Sequence, residues 1–188
     1  DMIDQSSDNC LPLFNRIMPD LISALRSRPA TGIFITINTH SLDEREADSP
    51  VPCVYLRDLD PDAAPSARNS DLLLERAPSG LVKSCSISTD KGWTPTILYK
   101  GRGKDGFFQL PFQTAYEDEI KLNAQDYGRL VSHAYTLTGD NRSAIAYSQP
   151  LILDDGTVYG VIGIEMLTSY LESRLPSTEL QNDNAGFY

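Results

Sequence analysis

Apolar and polar residues alternate along this chain with two different periods, and the switches between them mark the elements. Near the N-terminus Leu13, Phe14, Ile17, Leu21, Ile22 and Leu25 recur at helical spacing. This stripe predicts a helix capped by Asp8 or Asn9 and running to about Arg28. Pro12 suits its first turn, whereas Pro19 predicts a kink or a break. Residues 31–39 (TGIFITINT) are β-branched and aromatic and predict a first strand; residues 53–59 (CVYLRDL) predict a second. The polar stretch 40–52 between them reads as a loop. Further on the pattern weakens. Residues 61–70 read as an exposed loop, 70–74 as a short helix, and Pro78-Ser79-Gly80 as a breaker. Trp93-Thr94-Pro95 marks a loop, 101–106 a glycine-rich turn, and 117–124 a helix. Residues 129–138 (RLVSHAYTLT) predict a third strand.

The clearest pattern is at 143–166, SAIAYSQPLILDDGTVYGVIGIEM. Two alternating strands flank Asp154-Asp155-Gly156, whose residues tolerate the positive φ of a tight hairpin turn. An amphipathic helix follows over 167–175 and Pro176 stops it. Alternation splits the last strand into two faces. Val158, Gly160, Ile162, Ile164 and Met166 form an apolar face suited to the N-terminal helix. Thr157, Tyr159, Val161, Gly163 and Glu165 form the other, where Gly163 leaves room beside the carboxylate. The order is helix, two strands, a long middle segment, three strands, helix. That order predicts an α+β fold with one central antiparallel sheet of about five strands.

Composition narrows the partners. The chain has 188 residues, enough for one domain with a sizeable core, and a net charge of −10. Such acidity argues against nucleic acid and against anionic membrane surfaces. There is no membrane-length apolar run and no signal peptide. The start at Asp1 and the end at Phe187-Tyr188 suggest a piece of a longer protein. Three cysteines, Cys10, Cys53 and Cys85, are widely spaced without a CxxC pair, which suits buried thiols or one disulfide plus a free thiol.

Ala146-Tyr147-Ser148-Gln149-Pro150-Leu151, then Asp155-Gly156, then Gly160-Val161-Ile162-Gly163-Ile164-Glu165-Met166 resembles the closing hairpin of the Cache (extracytoplasmic PAS-like) sensor domains of bacterial receptors. The family pattern is an S-x-P strand, a D-G turn, then G-V-x-G-x-D-[IM]. Tyr55-Leu56-Arg57-Asp58 after strand one, and a Trp in the long middle segment, resemble the membrane-distal lobe of double Cache domains. The resemblance implies an N-terminal helix (1–30), a PAS-like sensor lobe (31–175) and a linker toward a second, truncated lobe (176–188). It also implies a helix on one sheet face, a small-molecule pocket on the other, and a parent anchored in the cell membrane with this lobe extracellular or periplasmic. A diguanylate cyclase (GGDEF), a histidine kinase or a chemotaxis receptor carries such lobes. An acidic residue at the position of Glu165 binds a ligand amino group in that family. Two motifs of its amino-acid binders are missing: no Arg-x-Trp occurs, and Leu137 stands where an Asp would follow Tyr135.

The candidate ligand-binding residues are Trp93, Tyr127, Tyr135, Tyr147 and Glu165. The aromatics offer rigid amphipathic surfaces, and a buried carboxylate on an apolar strand requires a cation, from ligand or from protein. Catalytic constellations are absent from the sequence. There is no G-x-S-x-G, no H-E-x-x-H and no EF-hand spacing, and Gly101-Arg102-Gly103-Lys104-Asp105-Gly106 lacks the G-K-[ST] of a phosphate loop. No cofactor, metal or enzymatic role is expected of this chain. The expectation is a sensor lobe for a small polar metabolite, with a homodimer open; the alternative is a dimerisation module with a vestigial pocket, in which the stripe 13–25 is an interface.

Overall fold

A computed structural model describes residues 9–27, 30–39, 50–66, 68–98, 109–119, 123–130, 133–137 and 141–174. The chain is α+β, built on one large sheet. Helix α1 spans Leu11–Arg26. Strands β1 (Gly32–Ile37), β2 (Pro50–Asp58) and β3 (Leu72–Arg76) follow as an antiparallel set. Helix α2 (Ser79–Cys85) leads to β4 (Ser88–Thr94), which pairs with β3 in parallel. A parallel neighbour needs such a crossover, and α2 supplies it. Then come β5 (Thr96–Leu98), α3 (Gln109–Glu117) and a 3-10 turn (Ala124–Tyr127). The short strands β6 (Arg129–Leu130) and β7 (Tyr135–Thr136) precede the hairpin β8 (Ser143–Ile152) and β9 (Val158–Leu167). Helix α4 (Thr168–Arg174) continues β9 without a loop. The sheet order is β4-β3-β2-β1-β9-β8-β6, with β5 on β2 and β7 on β8.

Two apolar layers flank this sheet. Phe14, Met18, Leu21 and Leu25 of α1 pack on Ile33, Ile35, Val54, Leu56, Leu72 and Leu74. The stripe of α1 is therefore the lobe's own core and not an interface, although Leu13 points outward. On the opposite face Phe112 and Ala115 of α3 and Tyr127 cover Phe34, Val51, Ala146, Val158 and Val161. Strand β1 lies between both layers and is buried along its whole length.

Several expectations are corrected. Pro19 lies inside α1 without breaking it. It sits on the exposed side, as does Asn15, whose carbonyl has no amide of residue 19 to accept from. Among the described residues the cap is Cys10, which makes no side-chain cap bond. The supposed short helix at 70–74 is β3, since three consecutive leucines carry no period and the pairing with β2 decides. Ser79-Gly80 open α2 instead of breaking the chain, and Trp93 stands on β4 instead of a loop. The third strand is divided into β6 and β7, both paired to β8. Of the helix expected at 117–124, Glu117 ends α3 and Ala124 opens the 3-10 turn, 118, 119 and 123 are not helical, and 120–122 lie outside the described residues. The sheet exceeds five strands and includes one parallel pair. The glycine-rich turn 101–106 and the proposed linker 176–188 lie outside the described residues.

The hairpin forms as expected. Gly156 adopts φ 85°, and Asp155 Oδ1 accepts the Thr157 amide at 2.8 Å. Leu151 pairs with Gly160 but Ile152 with Val158, which leaves Tyr159 as a bulged residue. That extra residue reverses the faces at the strand's start, so Tyr159 joins the α1 layer and Val158 the opposite one. The three cysteines are free thiols, and burial raises Cys10 and pushes Cys53 up to about 12. Leu11 meets Gly80 and Asn15 meets Ser84, so α1 and α2 run in parallel register. Cys10 and Cys85 are then six positions out of step, about 9 Å along the helix axes, too far for a disulfide.

Candidate functional site

The sheet face opposite α1 carries a buried polar cluster. Its geometry follows from register. Gly32 of β1 stands opposite Glu165 on β9 and opposite Arg57 on β2. A glycine between them leaves no side chain in the way, so acid and base meet across three strands. A Cβ at Gly32 would come within 3.1 Å of Glu165 Oε1 and 2.9 Å of the Tyr55 ring. On its other side Glu165 neighbours Ala146 of β8, another small residue.

Glu165 is fully buried. Its Oε2 accepts hydrogen bonds from the Tyr55 hydroxyl and, at 2.8 Å, from the Tyr135 hydroxyl. Its Oε1 lies 3.4 Å from Arg57 Nε and accepts no hydrogen bond among the described residues. Arg57 Nη1 lies 2.5 Å from Glu75 Oε1, and Arg57 and Glu75 are both buried. Arg76, which is partly exposed, approaches Glu75 Oε2 at 3.9 Å. A bulge at Glu75 sets this up, because Tyr55 pairs with Arg76 while Leu56 pairs with Leu74.

Burial and charge act together here. Burial raises the Tyr55 and Tyr135 phenols, and the Glu165 carboxylate beside them raises them further. They therefore stay protonated and act as donors to Glu165. Burial disfavours the Arg57 cation, but Glu165, Tyr55 and Glu75 more than restore it, and its pKa is raised. Burial raises Glu75, against the pull of Arg57.

Stability should respond to pH through Glu75. A carboxyl raised above its unfolded value of 4.5 holds its proton more tightly when folded. Its contribution is complete below that value and is lost as pH rises through the folded pKa. We expect Glu75→Gln to flatten the decline of unfolding free energy as pH rises from 4.5 toward neutrality, measured by urea titration. An unchanged slope would exclude Glu75 as its source.

Among the residues expected from sequence, Tyr135 and Glu165 are brought into direct contact. Tyr127 is buried on the same sheet face, within the apolar layer under α3. Tyr147 is on the other face and exposed, since Ala146 and Ser148 take the buried positions. Trp93 stands on edge strand β4, four strands from β9, or about 19 Å at the usual strand spacing. Its Nε1 is buried without a hydrogen-bond partner among the described residues. Gly163 does not leave an empty space. A Cβ there would lie 2.2 Å from Phe34 Cζ, so the Phe34 ring fills the gap. A separate groove of about 280 Å³, lined by Thr31, Pro61, Asp62, Leu167, Ser169, Tyr170 and Ser173, flanks the start of α4 and includes none of the five.

Tyr55, Arg57 and Glu75 were missed from sequence. The signal was present, since Arg57 and Glu75 are charges inside apolar strands, as Glu165 is.

Comparison with known proteins adds little. No family model and no curated protein matches the sequence. One solved structure, the extracellular domain assigned to a histidine kinase (soHK1S-Z6), is similar at TM-score 0.42 and 12% identity. The likeness covers 92% of this chain and 56% of that one, so the chain spans little more than half of that domain. No functional conclusion rests on so distant a likeness. Among the described residues no helix is long and apolar enough to cross a membrane, and no group of His, Cys, Asp and Glu could hold a metal ion.

Proposed function

We propose that this chain is a Cache-type, extracytoplasmic sensor lobe of a membrane-anchored signalling receptor, and that it binds a small polar metabolite at the Glu165 cluster. The observation that carries this reading is a fully buried carboxylate on the sheet face away from α1, held by two tyrosine hydroxyls and one arginine. Buried charges cost several kcal/mol unless paired, and such clusters concentrate at binding sites. Position adds support. Glu165 is three residues from α4, with no intervening loop, and its carbonyl accepts the Thr31 amide at 2.8 Å. A shift at the carboxylate therefore has a short path into α4. A ligand transmits a signal only by binding one conformation better than another. The output module in this reading is a diguanylate cyclase, a histidine kinase or a chemotaxis receptor.

A second reading has its own support. Phe34 fills the space at Gly163, and Arg57 already neutralises Glu165. Both features suit a vestigial pocket in a structural or dimerisation module. A thermal-shift screen over a few hundred metabolites, run beside analytical ultracentrifugation, separates the two. The sensor reading expects at least one polar stabiliser. A tight dimer with no stabilising compound supports the module.

A further inference from the structure

The groove of about 280 Å³ beside α4 has a chemistry of its own. Of its lining residues Thr31 and Leu167 are buried, whereas Asp62, Ser169 and Ser173 are exposed, so it runs inward from the surface. Its size lies just below the usual range of small-molecule sites, which suits a ligand of about a dozen heavy atoms. Thr31, Ser169, Tyr170 and Ser173 bring hydroxyl groups, Asp62 brings a carboxylate, and none of the lining residues is Lys, Arg or His. That set selects by charge. An anion meets no counter-ion there, in a chain of net charge −10. A lone cation gains little from Asp62, because an exposed carboxylate makes only weak ion pairs. A hydroxyl both donates and accepts, whereas an ionised carboxylate only accepts. The partner that suits all five residues therefore carries several groups that do both. Pro61 and Leu167 supply apolar contact for the C–H bonds between such groups.

We propose that this groove is a second binding site, for a neutral polyhydroxylated ligand of monosaccharide size, with Asp62, Ser169 and Ser173 as its polar contacts and Leu167 as its apolar floor. The site goes beyond the sensor reading above and does not depend on it, since no residue of the Glu165 cluster lines the groove. Its walls are held in place by the fold. The Thr31 amide donates to the Glu165 carbonyl and the Thr31 carbonyl accepts the Asp58 amide, each at 2.8 Å, which fixes the inner wall to β9 and β2. The Arg174 guanidinium lies over the Tyr170 ring, 5.0 Å from its centre, and steadies the phenol on α4. Walls ordered before the ligand arrives lower the cost of binding. The position has a consequence. Pro61 and Asp62 follow β2, whereas Ser169, Tyr170 and Ser173 stand on α4. A ligand that touches both sides pins α4 to the end of β2.

The test is saturation-transfer NMR with D-glucose and myo-inositol, on wild type, Glu165→Gln, Asp62→Asn and Ser169→Trp. Millimolar concentrations avoid the general stabilisation that polyols give by exclusion from protein surfaces. Ser169→Trp fills the groove from an exposed position on α4. Ser173→Trp, one helical turn further on, is a second block should the first variant not fold. At least one of the two polyols should bind wild type and Glu165→Gln alike, and neither should bind the blocked variant. Asp62→Asn should weaken binding about tenfold, because a hydrogen bond to a charged group becomes one to a neutral amide. Hydrogen exchange of the α4 amides should slow when the polyol is bound. Equal signals in wild type and the blocked variant overturn the proposal, as does the absence of any signal in wild type. A signal lost in Glu165→Gln but kept in the blocked variant puts the polyol at the Glu165 cluster and overturns it too. Unchanged affinity in Asp62→Asn overturns the hydrogen-bonding role on which the choice of a polyol rests.

Discussion

Replacing Arg57 by Met will destabilise the fold by about 3–5 kcal/mol, a large part of the stability of an ordinary domain. The reason is the charge that remains. Glu165 and Glu75 are both buried, and among the described residues Arg57 is the cation closest to each. Removing one partner of a buried pair leaves an uncompensated ion, whereas removing a carboxylate here brings the cluster nearer to neutrality. Glu75→Gln and Glu165→Gln should therefore each cost far less than Arg57→Met, and in combination with it should recover part of the loss. Arg57→Lys should not substitute, because an ammonium cannot span two carboxylates with a planar fork. Urea unfolding of the set measures this. A loss below about 1 kcal/mol for Arg57→Met would mean that water already solvates the cluster.

The second large effect concerns Gly163. Gly163→Ala should destabilise by about 1–3 kcal/mol, because its methyl would collide with a packed ring. The ideal Cβ position is 2.2 Å from Phe34 Cζ and 2.7 Å from the Tyr147 carbonyl. The ring can be removed but the backbone cannot. Phe34→Leu should therefore relieve part of the strain, and the double variant should lose less than the sum of the singles. If Gly163→Ala folds with unchanged stability, the Phe34 ring moves freely and the space beside Glu165 is available to a ligand. Calorimetric unfolding of the four proteins decides between these outcomes.

Sequence reading reached the fold where a period was sustained. The α1 stripe, β1 and β2, and the β8–β9 hairpin with its Asp155-Gly156 turn each carry several repeats of one pattern. The middle of the chain was illegible for a physical reason. Strands β3 and β5 and helix α2 span five, three and seven residues, too short for periodicity to overcome local preference, and neighbouring strands determine their form. Leu72-Leu73-Leu74 suits helix and strand alike until β2 pairs with it. The bulge at Tyr159 likewise arises from pairing with β8, and strict alternation misplaces Val158 and Tyr159.

The site was legible in one half. Glu165 stood out as a carboxylate on an apolar strand, and Tyr135 meets it as a neighbour two strands away. Arg57 and Glu75 lie on the other side of β1, and only the register through Gly32 joins them to Glu165. That register links residues far apart in the chain, and no local pattern encodes it. Gly32 itself is an unremarked glycine in TGIF until both of its strand partners are known.

The most direct measurement is the thermal shift given by the best stabilising metabolite on three proteins: wild type, Glu165→Gln and Tyr147→Ala. Glu165 lies at the heart of the buried cluster, whereas Tyr147 lies on the other face of the sheet. The sensor account predicts that the shift persists in Tyr147→Ala and disappears in Glu165→Gln. A shift of undiminished size in Glu165→Gln would contradict it and place the ligand elsewhere.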